Sequence, residues 1–231
     1  MLELKEKISF NRSDLDENGN VKASSIMYHF QEIASHHADS LGYGYDGLIR
    51  DDRIWVLSKL KFKIYDKLIS EKEYILSTYP RPKKGLTFFR DYYLHDGEGI
   101  LTAAGMSHWC IINFRTRKLE KTDINFDGEY IDHVPFEEGI EKIKAVDPVK
   151  AGSHVVTEAD LDVNRHVNNC RYADIISGVL GKNNYGSFIM NFSKEAMLGD
   201  EILLYTEVQN KETIIVGKLK DGTVIFQAGV K

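Results

Sequence analysis

The sequence predicts an α+β fold built from two tandem repeats, each a helix followed by a meander of antiparallel strands. Three observations predict it. Apolar residues recur at three- and four-residue spacing in two stretches, one in each half. Short alternating runs, bounded by turn-forming residues, follow each of them. Finally, Asp14-Leu15-Asp16-x-Asn18-x-x-Val21 returns as Asp160-Leu161-Asp162-x-Asn164-x-x-Val167, each time ahead of a helix.

The elements follow in order. Residues Leu4 to Arg12 read as a short strand with Ile8 and Phe10 inward. Ile26, Phe30, Ile33, Ala34, Ala38 and Leu41 form one face of a helix of about 18 residues, longer than average, and Gly42 and Gly44 fit its stop. From Ser58 to Ile64 the alternation is strict, with Leu60, Phe62 and Ile64 inward and Lys59, Lys61 and Lys63 on a solvated face. Strands over Tyr74 to Tyr79, Leu86 to His95 and Ile100 to Phe114 continue the series. Pro80, Pro82, Gly85, Gly97 and Gly99 are assigned to their turns.

Residues 121–150 carry Pro135, Pro148 and many acidic side chains, with poor periodicity. They read as a connector between an N-terminal repeat (1–120) and a C-terminal repeat (151–231), with a short helix near Phe136 to Lys144. In the second repeat a strand spans Ser153 to Thr157. The helix puts Tyr172, Ile175, Ile176, Val179 and Leu180 on its apolar face. Strands follow near Ser187 to Lys194, Glu201 to Gln209, Glu212 to Leu219 and Thr223 to Val230.

Composition narrows the function. The 231 residues are 42% hydrophobic, enough for a sizeable core, and the net charge of −5 argues against nucleic-acid binding through overall charge. The two cysteines, Cys110 and Cys170, lack Cys-x-x-Cys spacing, and no secretory leader is recognised at the start. No apolar run approaches the roughly 20 residues of a membrane-spanning helix. The expectation is a cytoplasmic protein with no membrane segment, disulfide framework or structural zinc.

The repeated stretch carries the polar chemistry. If Asp160 to His166 is extended, Asp160, Asp162, Asn164 and His166 share one face, while Leu161, Val163 and Val167 face a core. A carboxylate and an imidazole within reach of one another can activate water, and an amide can orient a carbonyl. A plainer reading makes the Asp and Asn residues turn formers and helix caps. In the first copy Asn20 stands where His166 stands in the second, so one copy alone can do histidine chemistry.

Other constellations are weaker. Both copies begin like a calcium-binding loop, but Ser25 and Arg171 occupy the position that needs a glutamate. Cys170 follows His166 by four residues, which admits a nucleophile or a small apolar helix residue. His36 and His37 are adjacent in a helix and do not face one site. Two basic clusters, Arg81, Lys83, Lys84 and Arg90, then Arg115, Arg117, Lys118 and Lys121, fit a solvated sheet edge or a docking site for an acidic or phosphorylated partner.

The chain resembles the acyl-acyl carrier protein thioesterases, of the plant plastid type and bacterial relatives. Leu161-Asp162-Val163-Asn164-Arg165-His166-Val167-Asn168-Asn169 is similar to that family's Leu-Asp-Val-Asn-Gln-His-Val-Asn-Asn signature, with Arg165 for Gln. Met27-x-x-Phe30-Gln31-Glu32-x-Ala34, Ile54-Trp55-Val56-Leu57, Ser107-x-Trp109, Thr116-Arg117-Lys118-Leu119 and Phe192-Ser193-Lys194-Glu195 resemble further family segments. The resemblance implies a double hotdog fold and hydrolysis of the thioester between a fatty acyl chain and acyl carrier protein, releasing the free acid. It implies Asp162, Asn164, His166 and Glu195 as catalytic positions, with Ala196 where the family often has Cys, and no metal or cofactor. An acyl tunnel against Trp55, Phe88 and Trp109 in the first half follows. So does carrier docking, onto phosphopantetheine and an acidic partner, by Arg81, Lys83, Lys84, Arg115, Arg117 and Lys118. Long sheets in the family tend to pair, which raises a homodimer. An acyl-CoA thioesterase, a non-catalytic acyl-binding protein and a hotdog dehydratase are the rival readings.

Overall fold

The computed structural model describes residues 2–126, 128–162, 164–183 and 185–231. They form two compact units. The first comprises Met1–Ser9, Tyr28–Lys67 and Glu71–Ile140, the second Phe10–Met27, Leu68–Ser70 and Glu141–Lys231.

The first unit holds five antiparallel strands: β1 (Leu4–Ser9), β2 (Arg53–Ile64), β3 (Glu73–Lys84), β4 (Thr87–Asp96) and β5 (Leu101–Asn113). Their order is β1-β3-β4-β5-β2. The second unit holds β6 (Val149–Val155), β7 (Ser187–Phe192), β8 (Glu201–Gln209), β9 (Glu212–Lys218) and β10 (Val224–Val230). Their order is β6-β8-β9-β10-β7. The two orders are the same once β6, β8, β9, β10 and β7 replace β1, β3, β4, β5 and β2. The duplication read from eight residues is therefore a duplication of topology.

Helix α1 (Ala23–Ser40) has the 18 residues its periodicity predicts. It buries Ile26, Phe30, Ile33, Ala34 and Ala38, and Gly42 closes it with a φ of 80° that favours glycine. The Phe30 ring stacks on Tyr92 of β4 at 4.4 Å and meets Phe62 of β2 edge-on at 6.4 Å. Gly105 of β5 makes room, since a Cβ there would fall 2.2 Å from that ring. Helix α2 (Tyr45–Ile49) is a single turn that periodicity was too short to announce. Helix α3 (Arg171–Leu180) in the second unit buries Tyr172, Ile175 and Ile176 and ends at Gly181 in the left-handed region.

Three expectations are corrected. Lys59, Lys61 and Lys63 do not line a solvated face. The connector covers it, burying Phe136 and Ile140. Lys61, only 2% exposed, bonds Glu138 at 2.8 Å and the Gly139 carbonyl at 3.0 Å. Lys59 reaches the Ile140 carbonyl at 3.3 Å, and the ammonium groups of Lys61 and Lys63 sit over the Phe136 ring at 4.8 and 5.0 Å. A period of two marks which side chains alternate, but not what covers the polar side.

Second, no helix forms over 136–144; backbone carbonyls there are spent on the lysines instead. Third, Pro80 and Pro82 lie within β3 rather than in a turn. The pairing of β3 with β1 ends at Thr78, so beyond it one edge of β3 is free of that neighbour. A missing N–H is tolerated on such an edge.

Candidate active site

The repeated stretch is not extended. Glu158–Asp160 is a turn of 3-10 helix, and Leu161 bridges Val167 across a tight reversal. The cause is Asp162, whose Oδ1 accepts the N–H of Asn164 at 2.9 Å and of His166 at 3.1 Å. An Asp side chain that bonds its own downstream backbone competes with extended structure. The first copy makes the same turn: Asp16 Oδ1 accepts the N–H of Asn18 at 2.9 Å and of Asn20 at 2.8 Å. Gly19 has φ 76° there, and Arg165 takes the corresponding place at φ 65°.

The single polar row is thus broken. Asn164 is exposed and His166 half-buried, while Asp160 is 1% exposed and serves the scaffold. Of the three residues expected to face a core, Val167 is buried and Leu161 partly so; Val163 lies outside the described residues. Asp160 Oδ2 accepts from the Thr157 N–H at 2.8 Å and the Thr157 hydroxyl at 2.9 Å, and pairs with His154 Nε2 at 2.9 Å. Burial alone would push this carboxyl up. The hydrogen bonds from Thr157 and His154 outweigh it and hold the group down at about 2. Arg171 links Asp160, at 3.4 Å, to Asp174, at 2.5 Å, and Asp174 accepts the Ser24 hydroxyl at 2.5 Å.

The turn meets the segment that follows β7. His166 bridges Met197, and the Val167 N–H donates to the Ala196 carbonyl at 3.1 Å. This places His166 Nε2 3.4 Å from Glu195 Oε2, both side chains reaching solvent at 21% and 39% exposure. An imidazole and a carboxylate in that relation can pass a proton to or from a third molecule. Asp162 has one oxygen occupied by two backbone donors, one of them the N–H of His166. Ala196 is fully buried. Among the described residues no three His, Cys, Asp or Glu side chains converge as metal ligands.

The first unit contains a cleft of about 460 Å³, measured with its open mouth. Ala34, Ser35 and Ala38 of α1 are small and leave space over Trp55, Phe88 and Trp109, the three residues that sequence singled out. Phe126 closes the cleft from the connector, and Arg90 lies in its wall. Trp55 donates its indole N–H to the Tyr43 carbonyl at 2.8 Å and Trp109 to the Ser107 hydroxyl at 2.6 Å. Their polar edges are satisfied and their rings are left as apolar wall. Its lining of aromatic rings and small side chains suits a mostly apolar group.

The basic residues divide. Arg81 is turned inward, bonded to Asp91 at 2.5 Å and to the carbonyls of Ile131 and His133, so it fastens the connector to β3. Lys83 reaches the Thr122 carbonyl at 2.5 Å. Lys84, Arg115, Arg117 and Lys118 are exposed, Arg115 pairing with Asp52 at 2.8 Å, and Phe114 and Leu119 at the ends of the 115–118 stretch are exposed as well. Sequence reasoning missed Tyr172, whose hydroxyl accepts the Ala196 N–H; it was counted simply as one residue of an apolar face. It also missed the buried links of Asp160, for which Arg171-x-x-Asp174 at helical spacing was the one local sign.

Two helix-on-sheet repeats, one of them carrying a histidine–carboxylate pair, define a tandem hotdog protein. The chain belongs to the acyl-ACP thioesterase family. Its residues 2–130 match the acyl-ACP thioesterase N-terminal domain and residues 143–227 the acyl-ACP thioesterase C-terminal domain. It is 27% identical over 191 residues to a chloroplastic oleoyl-acyl carrier protein thioesterase of Arabidopsis thaliana, a match covering 74% of this chain and 53% of that one. The chain thus spans about half the length of that curated relative. The fold is that of an acyl-ACP thioesterase from Bacteroides thetaiotaomicron, at TM-score 0.91 and 23% identity, covering 99% of this chain and 97% of that one. It is also that of a 12:0-ACP thioesterase from Umbellularia californica, at TM-score 0.85 and 19% identity, covering 100% and 97%.

Proposed function

We propose that the chain hydrolyses the thioester of fatty acyl-acyl carrier protein and releases the free fatty acid. The observation that carries this reading is the His166–Glu195 pair at 3.4 Å, in a chain whose family is named for that activity. Glu195 acts as general base, taking a proton from water as its oxygen attacks the thioester carbon. His166 and Asn164 orient the thioester and stabilise the negative charge that develops on its oxygen. The C–S bond then breaks, and the thiolate of the carrier's phosphopantetheine arm takes up the proton. Asp162 fixes the turn through the His166 N–H.

The first repeat, with Trp55, Phe88 and Trp109, takes the acyl chain, and the second performs the chemistry. Docking of the acidic carrier falls to Lys84, Arg115, Arg117 and Lys118, the exposed members of the basic set. A cytoplasmic setting is supported by the low cysteine count and the lack of Cys-x-x-Cys spacing. No helix among the described residues is long and apolar enough to cross a membrane.

The test is a panel of acyl-carrier thioesters of graded chain length, with released free acid as the readout and the matching acyl-CoA esters alongside. Carrier esters turned over faster than their CoA counterparts, with the advantage lost when Arg115, Arg117 and Lys118 are neutralised, is the expected result. Equal rates on both would reassign the substrate to acyl-CoA. Tight acyl binding with no turnover would make the chain a binding protein.

A further inference from the structure

This inference deepens the reading of Glu195 as catalytic base and rests on it. Tyr172 lies in the first turn of α3, 2% exposed, with its ring near Phe192 and Phe226 at centroid distances of 6.2 and 5.1 Å. Its hydroxyl oxygen accepts the backbone N–H of Ala196 at 3.2 Å. The carbonyl of the same Ala196 accepts the Val167 N–H at 3.1 Å. The residue next to Glu195 is therefore gripped at both backbone groups, by the helix on one and by the turn that carries His166 on the other. The following residue, Met197, bridges His166 and donates its N–H to Asp200 at 2.8 Å. Ala196 is sealed in the core while Glu195 reaches His166.

We propose that Tyr172 is a positioning residue whose hydroxyl sets the reach of Glu195 to His166 by holding the Ala196 peptide. Among the described residues, the Tyr172 hydroxyl is the acceptor of that N–H. Without the hydroxyl a buried donor loses its acceptor, and the segment shifts to recover one. A shift of about 1 Å at a catalytic group costs on the order of a hundredfold in rate. Burial raises the phenol's pKa against the pull of the Ala196 N–H bond, and the nearby carboxylates of Glu195, Asp200 and Asp162 raise it further. The phenol thus stays neutral across the working range. A tyrosine in this role touches no substrate, so its loss reads out in turnover rather than in affinity.

The experiment is a double-mutant cycle on the whole chain, with an acyl-carrier thioester as substrate and Tyr185→Phe as control. Tyr185 is the fitting control because it is equally buried and its hydroxyl also binds backbone, at Lys182, away from Glu195. Tyr172→Phe is expected to lower kcat about ten- to a hundredfold with KM unchanged within about twofold. In a Glu195→Ala background it is expected to lower kcat no further, since the residue it positions is gone. Tyr185→Phe is expected to keep the starting kcat. A Tyr172→Phe protein with full kcat, an equal loss in the Glu195→Ala background, or an equal loss from Tyr185→Phe would each overturn the proposal. Amide hydrogen exchange of the unaltered protein adds a test that needs no variant. Slow exchange at Ala196 is expected, and exchange at the rate of an exposed loop overturns the proposal. A fully active Glu195→Ala protein instead overturns the assignment of Glu195 itself, and this inference with it.

Discussion

His166 Nε2 and Glu195 Oε2 stand 3.4 Å apart although they come from different elements. His166 sits on a turn closed by Asp162, and Glu195 on the segment that leaves β7. The bridge between His166 and Met197 joins the two. If Glu195 is the base, Glu195→Gln keeps the size of the side chain and removes the proton acceptor. The expected loss is about 10²–10⁴ in kcat, read by free-acid release. His166→Ala should fall in the same range, and the double variant should be little worse than either, because groups that act as a unit are not additive. Full turnover by Glu195→Gln would transfer the base role to another group.

The two carboxylates on this site can be told apart. Asp162 Oδ1 is already bonded to two backbone N–H groups. Asp162→Asn keeps an oxygen there, so it should cost less than about 1 kcal/mol of stability and little activity. Asp162→Ala leaves both donors without that acceptor and should cost about 1–3 kcal/mol, with activity falling as the turn loosens. Thermal melts and kcat of the two variants decide the matter. An Asp162→Asn enzyme as slow as Glu195→Gln would make Asp162 a proton carrier rather than a brace.

These two variants also mark what could be read before a structure. The repeat, the 18-residue helix and the strand series were legible because periodicity and turn residues are local. The relation of Asp162 to His166 was legible as a motif but misplaced as geometry. Alternation assumes an extended backbone, and the Asp162 side chain had bent it. Glu195 came through the family resemblance alone, since no spacing rule reaches across α3 and β7. Lys61 was misread for a related reason: strand periodicity is blind to a later segment that lies over the polar side.

Lys61 yields the next prediction. Its side chain is 3% exposed and its partner Glu138 45% exposed. Glu138→Ala takes one carboxylate from a buried ammonium, which keeps the Gly139 carbonyl and the Phe136 ring. Lys61→Met removes the charge and keeps the stem. Breaking one side of a buried pair costs more than replacing the charge with an apolar group. Thermal melts should therefore rank Glu138→Ala as less stable than Lys61→Met. The reverse order would mean that the other contacts of the ammonium, or solvent, make good the loss of Glu138.

Acid stability carries two opposite signatures. Asp160 is held at about 2 in the fold, below its ordinary 3.8. Its contribution is complete above the ordinary value and is lost as pH falls toward 2. Asp91 is pushed up to about 6, chiefly by burial and against the pull of Arg81. The fold holds its proton more tightly than the unfolded chain does, so this group adds stability as pH falls from about 6 to about 4. Melting curves across that range should show the Asp91 gain disappear in Asp91→Asn. The steepest loss below pH 4 should flatten in Asp160→Asn. An unchanged profile in Asp91→Asn would place its carboxyl in contact with water.

The cleft of the first unit offers the test of where the acyl chain goes. Its helix side is open because Ala34, Ser35 and Ala38 are small, while Trp55, Phe88 and Trp109 supply the opposing rings. A phenyl group placed at 38 enters that space from the helix. Ala38 lines the cleft but is itself buried, so the added ring should lower stability by about 1–3 kcal/mol, and melts show whether Ala38→Phe stays folded at the assay temperature. If the acyl chain occupies the cleft, kcat/KM for long-chain carrier thioesters should drop tenfold or more, about 1–3 kcal/mol for the few methylenes excluded. The shortest esters should keep theirs. The panel of chain lengths reads this directly. A uniform loss across all lengths would point to a disturbed helix, and no change at any length would place the chain outside this cleft.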